Sequence, residues 1–175
     1  MKKLLFVLML TFGLLKASTN KEKDEVLKVI KNYANSIACE TTFDNPDFQK
    51  LFDNIVLSYK DSTGETNYYV LWGGDIGCNG GTSSSSYYVS EVGRYSNSRP
   101  FLVIKRDIFG SLDDINFRAI KSFKKIDDNK YEIVSINYDD NDPNCCPSLK
   151  QKYIVYKLKG EWKVFEKTLI EIIKY

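Results

Sequence analysis

The sequence predicts an α+β fold, with N-terminal helices packed on a dominantly antiparallel β-sheet and stapled by disulfides. Three observations lead there. An early stretch repeats its apolar residues at the helical period, the remainder alternates in short runs broken by turn residues, and four cysteines sit in a chain that opens like an exported protein.

Met1-Lys2-Lys3 precedes an apolar run from Leu4 to Leu15, interrupted only by Thr11 and Gly13. That is the charged start and short apolar centre of a secretory signal peptide, expected over 1–17 with cleavage after Ala17; a membrane span needs about 20 apolar residues. No cysteine follows the run directly to take a lipid, the first being Cys39. The mature chain, 18–175, reads as one domain in a periplasm or secreted, with no membrane span.

Thr19 and Glu22 stand in capping-box spacing, and Val26, Leu27, Ile30, Ala34 and Ile37 share one face, so the first helix is expected from Thr19 to about Ser36. Asn45-Pro46 offers a cap and a first-turn proline for a second, short helix anchored by Phe48, Leu51 and Phe52. Strands are expected at Ile55 to Lys60, Tyr68 to Trp72, Tyr87 to Val92 and Phe101 to Lys105. Two hairpins follow: Phe117 to Ile126 with Tyr131 to Tyr138, turning at Asp127-Asp128-Asn129-Lys130, and Tyr153 to Leu158 with Trp162 to Phe165, turning at Lys159-Gly160. The tail from Thr168 to Tyr175 reads equally as strand or helix.

Composition narrows function by exclusion. The chain has no histidine, which removes Ser-His, Cys-His and His-ligated metal chemistry. Of its 25 basic residues, Lys2, Lys3 and Lys16 lie in the export segment, leaving 22 against 23 acids, a net charge of −1. That balance gives no general attraction to nucleic acid or anionic lipid. No Ser-x-x-Lys motif lies among Ser83 to Ser86, and the carboxylates are scattered through turns, so neither a serine–lysine pair nor a glycosidase pair stands out. No cofactor is implied, and the chain reads as a non-enzyme.

The cysteines are the sharper signal. Export favours disulfides, and four thiolates for a metal would want Cys-x-x-Cys spacing, which is absent. A Cys145–Cys146 bridge would close a cramped ring across one peptide bond. The expected bridges therefore join Cys39 and Cys78 to Cys145 and Cys146, in either pairing, tying helix to sheet.

Two loops stand out as candidate sites. Gly73-Gly74-Asp75-Ile76-Gly77-Cys78-Asn79-Gly80-Gly81 lacks the Gly-Lys-Ser/Thr of a phosphate loop and reads as a disulfide-pinned loop between strands. Its continuation makes Asn79, Ser83, Ser84, Ser85, Ser86, Tyr87 and Tyr88 the candidate recognition loop. Asp139 to Asn144 concentrates oxygen donors, but lacks the central glycine and terminal glutamate of an EF-hand and reads as a solvated turn.

Cys145-Cys146-Pro147-Ser148, preceded by Asp142-Pro143 and followed by Tyr153-Ile154-Val155-Tyr156, resembles the signature of the LppP/LprE-like exported bacterial proteins. Gly80-Gly81-Thr82-Ser83 leading into Tyr87-Tyr88-Val89 is similar to a related pattern, and the likeness spans roughly residues 67 to 165. Named members are lipoproteins, whereas this chain has no lipid-acceptor cysteine. The resemblance implies a small β-rich, non-enzymatic cell-envelope protein and brings no catalytic residues. The function expected is recognition of an envelope protein or ligand, through the Gly73 to Ser86 loop and the Asp139 to Ser148 turn. The alternative is a periplasmic inhibitor or immunity protein that plugs an envelope-attacking enzyme such as a lysozyme or amidase.

Overall fold

The computed structural model describes residues 21–44, 52–78, 80, 84–110 and 112–175. The expected export segment and the Thr19 cap, and the expected helix at Asn45-Pro46, lie outside the described residues. Within them the chain forms one helix, α1, over 21–37, and nine strands. These are β1 (Ala38–Thr41), β2 (Ile55–Lys60), β3 (Thr66–Ile76), β4 (Ser86–Arg94), β5 (Leu102–Lys105), β6 (Ile120–Asp127), β7 (Lys130–Asn137), β8 (Leu149–Leu158) and β9 (Glu161–Ile172). No described helix is long and apolar enough to cross a membrane.

All pairings are antiparallel, but they make two sheets rather than one. In the first, β3 has β4 and then β5 on one side; its other edge is shared by β1 near Gly74 to Ile76 and β2 along Thr66 to Val70. The second is the meander β6-β7-β8-β9. Alternation along β3 then divides the core. Tyr68, Val70 and Trp72 face α1 with Val26, Leu27, Ile30, Ala34, Phe43, Val92 and Phe101, while Tyr69 and Leu71 face the second sheet with Phe109, Phe123, Tyr131, Ile133 and Tyr153. The order of layers is helix, first sheet, second sheet, with β3 buried on both faces.

The α1 stripe read from sequence is the face that packs, since Val26, Leu27, Ile30 and Ala34 are all buried. Its first turn is locked by Glu22, whose carboxylate accepts from Lys60 Nζ at 2.9 Å, Arg94 Nη2 at 2.6 Å and Tyr68 Oη at 2.9 Å. Arg94 also lies 4.6 Å over the Phe101 ring. Trp72 donates from Nε1 to Ser90 Oγ at 2.8 Å, which satisfies the one polar atom of the largest buried side chain.

Gly73, Gly74 and Asp75, expected in a loop, continue β3. A Cβ on Gly74 would meet Glu40 O at 2.9 Å and one on Gly73 would meet Thr42 Cγ2 at 3.0 Å, so these glycines admit the β1 segment rather than make a turn. β1 itself, short and half-exposed, carries no alternation long enough to read. The Asp127–Lys130 and Lys159-Gly160 turns stand as expected, with Asn129, Lys159 and Gly160 at positive φ. The tail continues as strand through Ile172.

The disulfide expectation is corrected. Cys39 pairs with Cys78, and Cys145 with Cys146. β1 pairs with the end of β3 through Ala38 and Ile76, which puts Cys39 beside the start of the β3–β4 connection, with Cα atoms 5.2 Å apart. The β1–β3 pairing therefore sets the partner of Cys39, and the adjacent cysteines bridge despite the cramped ring that the sequence counted against them.

Burial pushes the Glu22 carboxyl up, but the hydrogen bonds from Lys60 and Tyr68 and the charges of Lys60 and Arg94 outweigh it, so it titrates below the ordinary range. Its stabilising contribution is present above the unfolded carboxyl value of about 4.3 and is lost as pH falls through the lower folded value. Denaturant melts across acid pH are expected to show wild type more stable than Glu22→Gln at neutral pH, with the gap closing in acid. Replacing Cys39 and Cys78 by serine is expected to cost about 2–4 kcal/mol, read from the same melts.

A candidate recognition cleft

The sequence-predicted loop is placed as the β3–β4 connection, bolted at its base by Cys39–Cys78. Gly77 and Cys78 both take positive φ, and Asp75, 5% exposed, accepts from Gly80 N at 3.0 Å through Oδ2. Asn79 and Ser83 lie outside the described residues. Ser84 and Ser85 precede β4, and Ser86 opens it opposite Gly74. Tyr87 and Tyr88 belong to the strand rather than to a loop. Tyr88 packs 5.0 Å from the Trp72 ring, and Tyr87 lies against the inter-sheet core.

The second candidate, the turn from Asp139 to Ser148, leaves β7 at the same end of the sandwich. Tyr87 N donates to Phe117 O, and Asn116, one residue away, is hydrogen-bonded to Asn137 at the end of β7. The disulfides do not link the two loops. Asp142 holds the turn together by accepting from Asp139 N and Ser148 N, both at 2.7 Å. Hydrogen bonds from those backbone amides keep its carboxyl below the ordinary range. No group of three or more acidic or cysteine side chains among the described residues is placed to hold a metal ion.

Two concave surfaces lie at the opposite end, where the sequence singled out nothing. The second sheet covers Tyr69, Leu71 and Val89 of the first, but the same face continues beyond it. There Asn67 pairs with Gly93, and Gly93 with Leu102. Two grooves open on this uncovered end. One, of about 570 Å³, runs between β2, Asn67, Tyr69 and Glu91 on one side and Lys125, Asp128, Asn129 and Lys157 on the other. The second, of about 690 Å³, follows the β5 edge past Arg94, Tyr95, Arg99, Leu102 and Ile104.

The first groove is polar. Lys125 Nζ lies 3.0 Å from Asp128 Oδ1 and donates to Ser58 O at 3.3 Å, tying the β6–β7 turn to β2. Tyr69 and Tyr131 meet beneath it with ring centroids 5.5 Å apart. Burial raises both phenols, Tyr131 to about 12, so each stays protonated and able to donate at neutral pH. Tyr59 stands half-exposed at the rim, its hydroxyl raised by the neighbouring Asp61 carboxylate. The second groove is mainly apolar, with Tyr95, Leu102 and Ile104 exposed beside Arg94 and Arg99. Across both, Lys60 and Arg94 are already paired with Glu22 and Lys125 with Asp128, which leaves Arg99 and Lys157 facing Glu91 along the walls. The charged residues lining the grooves come from β2, β4, β6, two turns and the end of β8, so no local motif marks them.

Compared with known proteins, the chain matches no family model, no curated protein and no solved structure.

Gly93 sits where the grooves meet. A Cβ there would strike Asn67 Oδ1 and come within 2.7 Å of Ile104 Cδ1, the ends of two side chains. Gly93→Ala is expected to cost about 1 kcal/mol through displaced Asn67, and less in an Asn67→Ala background. A double-mutant cycle of denaturant melts measures that coupling.

Proposed function

We propose that this chain is an exported, non-enzymatic cell-envelope domain that binds an extended, negatively charged ligand or partner segment across the two grooves. The observation that carries the reading is the uncovered end of the first sheet, where exposed apolar side chains and Arg99 beside the β5 edge lie next to a polar groove walled by Lys157. An edge strand offers unpaired backbone groups to an extended partner, exposed apolar side chains supply contact area, and lysine and arginine steer acidic groups. The export-like start and the resemblance of Cys145-Cys146-Pro147-Ser148 to LppP/LprE-like proteins support placing it in the envelope, in the periplasm or outside the cell.

A second reading rests on the other end of the sandwich. The β3–β4 connection, bolted by Cys39–Cys78, is a rigid base for an inhibitor or immunity protein that plugs an enzyme cleft. Shortening residues 79–86 separates the two, because it removes inhibition of a lysozyme or amidase under the second reading and leaves groove binding intact under the first.

Arg99→Glu with Lys157→Glu tests the groove directly. Both side chains lie on groove walls away from the core, so the melting temperature is expected to hold. Binding to polyglutamate or to an acidic envelope protein is expected to fall about tenfold at low salt, with the loss shrinking as salt rises. Unchanged binding by titration calorimetry overturns the reading.

A further inference from the structure

The two disulfides differ in what they constrain. Cys39–Cys78 spans 39 positions and joins β1 to the β3–β4 connection, so it removes freedom from the unfolded chain. Cys145–Cys146 spans one position and closes no loop. The turn that carries it is held by other means. Asp142 accepts from Asp139 N and Ser148 N, Cys146 N donates to Pro143 O at 2.9 Å, Tyr138 Oη donates to Asn144 O at 2.8 Å, and Tyr175 Oη donates to Pro147 O at 2.9 Å. None of these bonds uses a sulfur atom. Cys145 is exposed and Cys146 half-buried.

We infer that Cys145–Cys146 is a thiol–disulfide exchange site, reduced by a dithiol partner and reoxidised by a partner in its disulfide form while the fold stays intact. A bond that stabilises the fold is protected from reduction by the same free energy, through linkage. Cys39–Cys78 has that protection and Cys145–Cys146 does not. In the exchange, a thiolate of the dithiol attacks the exposed Cys145 Sγ, the Cys145–Cys146 bond breaks, and Cys146 leaves as a thiolate and takes up a proton. The second thiol of the partner, deprotonated, then attacks the partner's own sulfur in the mixed disulfide, releasing Cys145 as a thiolate that is protonated in turn. The partner ends oxidised by two electrons, and this chain ends with two thiols. The inference concerns a separate turn from the grooves and does not depend on what fills them.

Stepwise reduction of the purified, oxidised protein with dithiothreitol, followed by alkylation and peptide mass spectrometry, tests it. Cys145 and Cys146 are expected to label at a reductant concentration at least about tenfold below that needed for Cys39 and Cys78, with the melting temperature unchanged in between. Opening of Cys39–Cys78 first or together with the pair overturns the inference, as does a fall in melting temperature on reducing the pair alone. A dithiol protein of thioredoxin type, left with only its attacking cysteine, supplies the second arm. It is expected to be trapped as a mixed disulfide on Cys145, and failure to trap one, or capture on Cys146, overturns the assignment. The Cys145→Ser/Cys146→Ser variant is expected to melt with wild type and to trap nothing.

Discussion

The double burial of β3 is the constraint on which the rest of the structure depends. A strand with solvent on one face needs one layer of cover, but Tyr68, Val70 and Trp72 point one way and Tyr69 and Leu71 the other, and every one of them is buried. Two layers must therefore close on the same strand, α1 on one side and the second sheet on the other. The Glu22 cluster follows from this arrangement. It ties the first turn of α1 to β2 through Lys60, to β3 through Tyr68 and to β4 through Arg94, three neighbouring strands at one end of the sheet. Charges held in that way fix the position of the helix more than they add net stability, since their desolvation offsets much of their attraction.

The other end of β3 is held by chemistry of a different kind. There β1 is only four residues long and half-exposed, so pairing alone gives it little hold. Cys39–Cys78 compensates by joining β1 to the segment that leaves β3. The same need is absent in the second sheet, whose strands pair along most of their length in a plain meander. Its last strand, β9, leaves one edge open and exposes Phe165, Leu169, Ile170 and Ile172. Register shifts along β9, with Lys163 and Lys167 among its residues, make that edge a poor template for another strand.

Most of the elements were legible because each rests on a local pattern. The stripe of Val26, Leu27, Ile30 and Ala34, the alternation in Tyr153 to Leu158 and the Lys159-Gly160 turn all act within a few residues. What escaped reading depended on pairing between distant segments. Gly73 and Gly74 carry the composition of a turn, and only the approach of Glu40 and Thr42 explains them as strand. The disulfide partners were misread for the same reason, because the choice between Cys145 and Cys78 for Cys39 was made by the β1–β3 register. Tyr87 and Tyr88 looked like the end of a polar loop, yet their rings complete both cores. The grooves were the least legible feature, since Asn67, Glu91, Arg99, Lys125 and Lys157 meet only when two sheets of different extent are laid together.

That difference in extent is itself the origin of the cleft. The first sheet is anchored to the second through Tyr69, Leu71 and Val89, near the middle of β3 and β4, whereas both strands run on to Thr66 and Arg94. A face of β-sheet left uncovered in this way must be polar, be filled by neighbouring side chains, or be occupied by something else. This chain uses the first two in the groove near β2, where Asn67 fills the space over Gly93 and Lys125 reaches across to Ser58. Along β5 neither applies, and Leu102 and Ile104 remain in solvent beside an unpaired strand edge. A domain that spends Trp72, Tyr68 and Arg94 on rigid, well-partnered contacts a few residues away leaves these apolar side chains outside its own packing. Under the function proposed above, that exposure is surface kept for a partner, and the rigidity of β3 and β4 beneath it lowers the entropy lost when the partner docks.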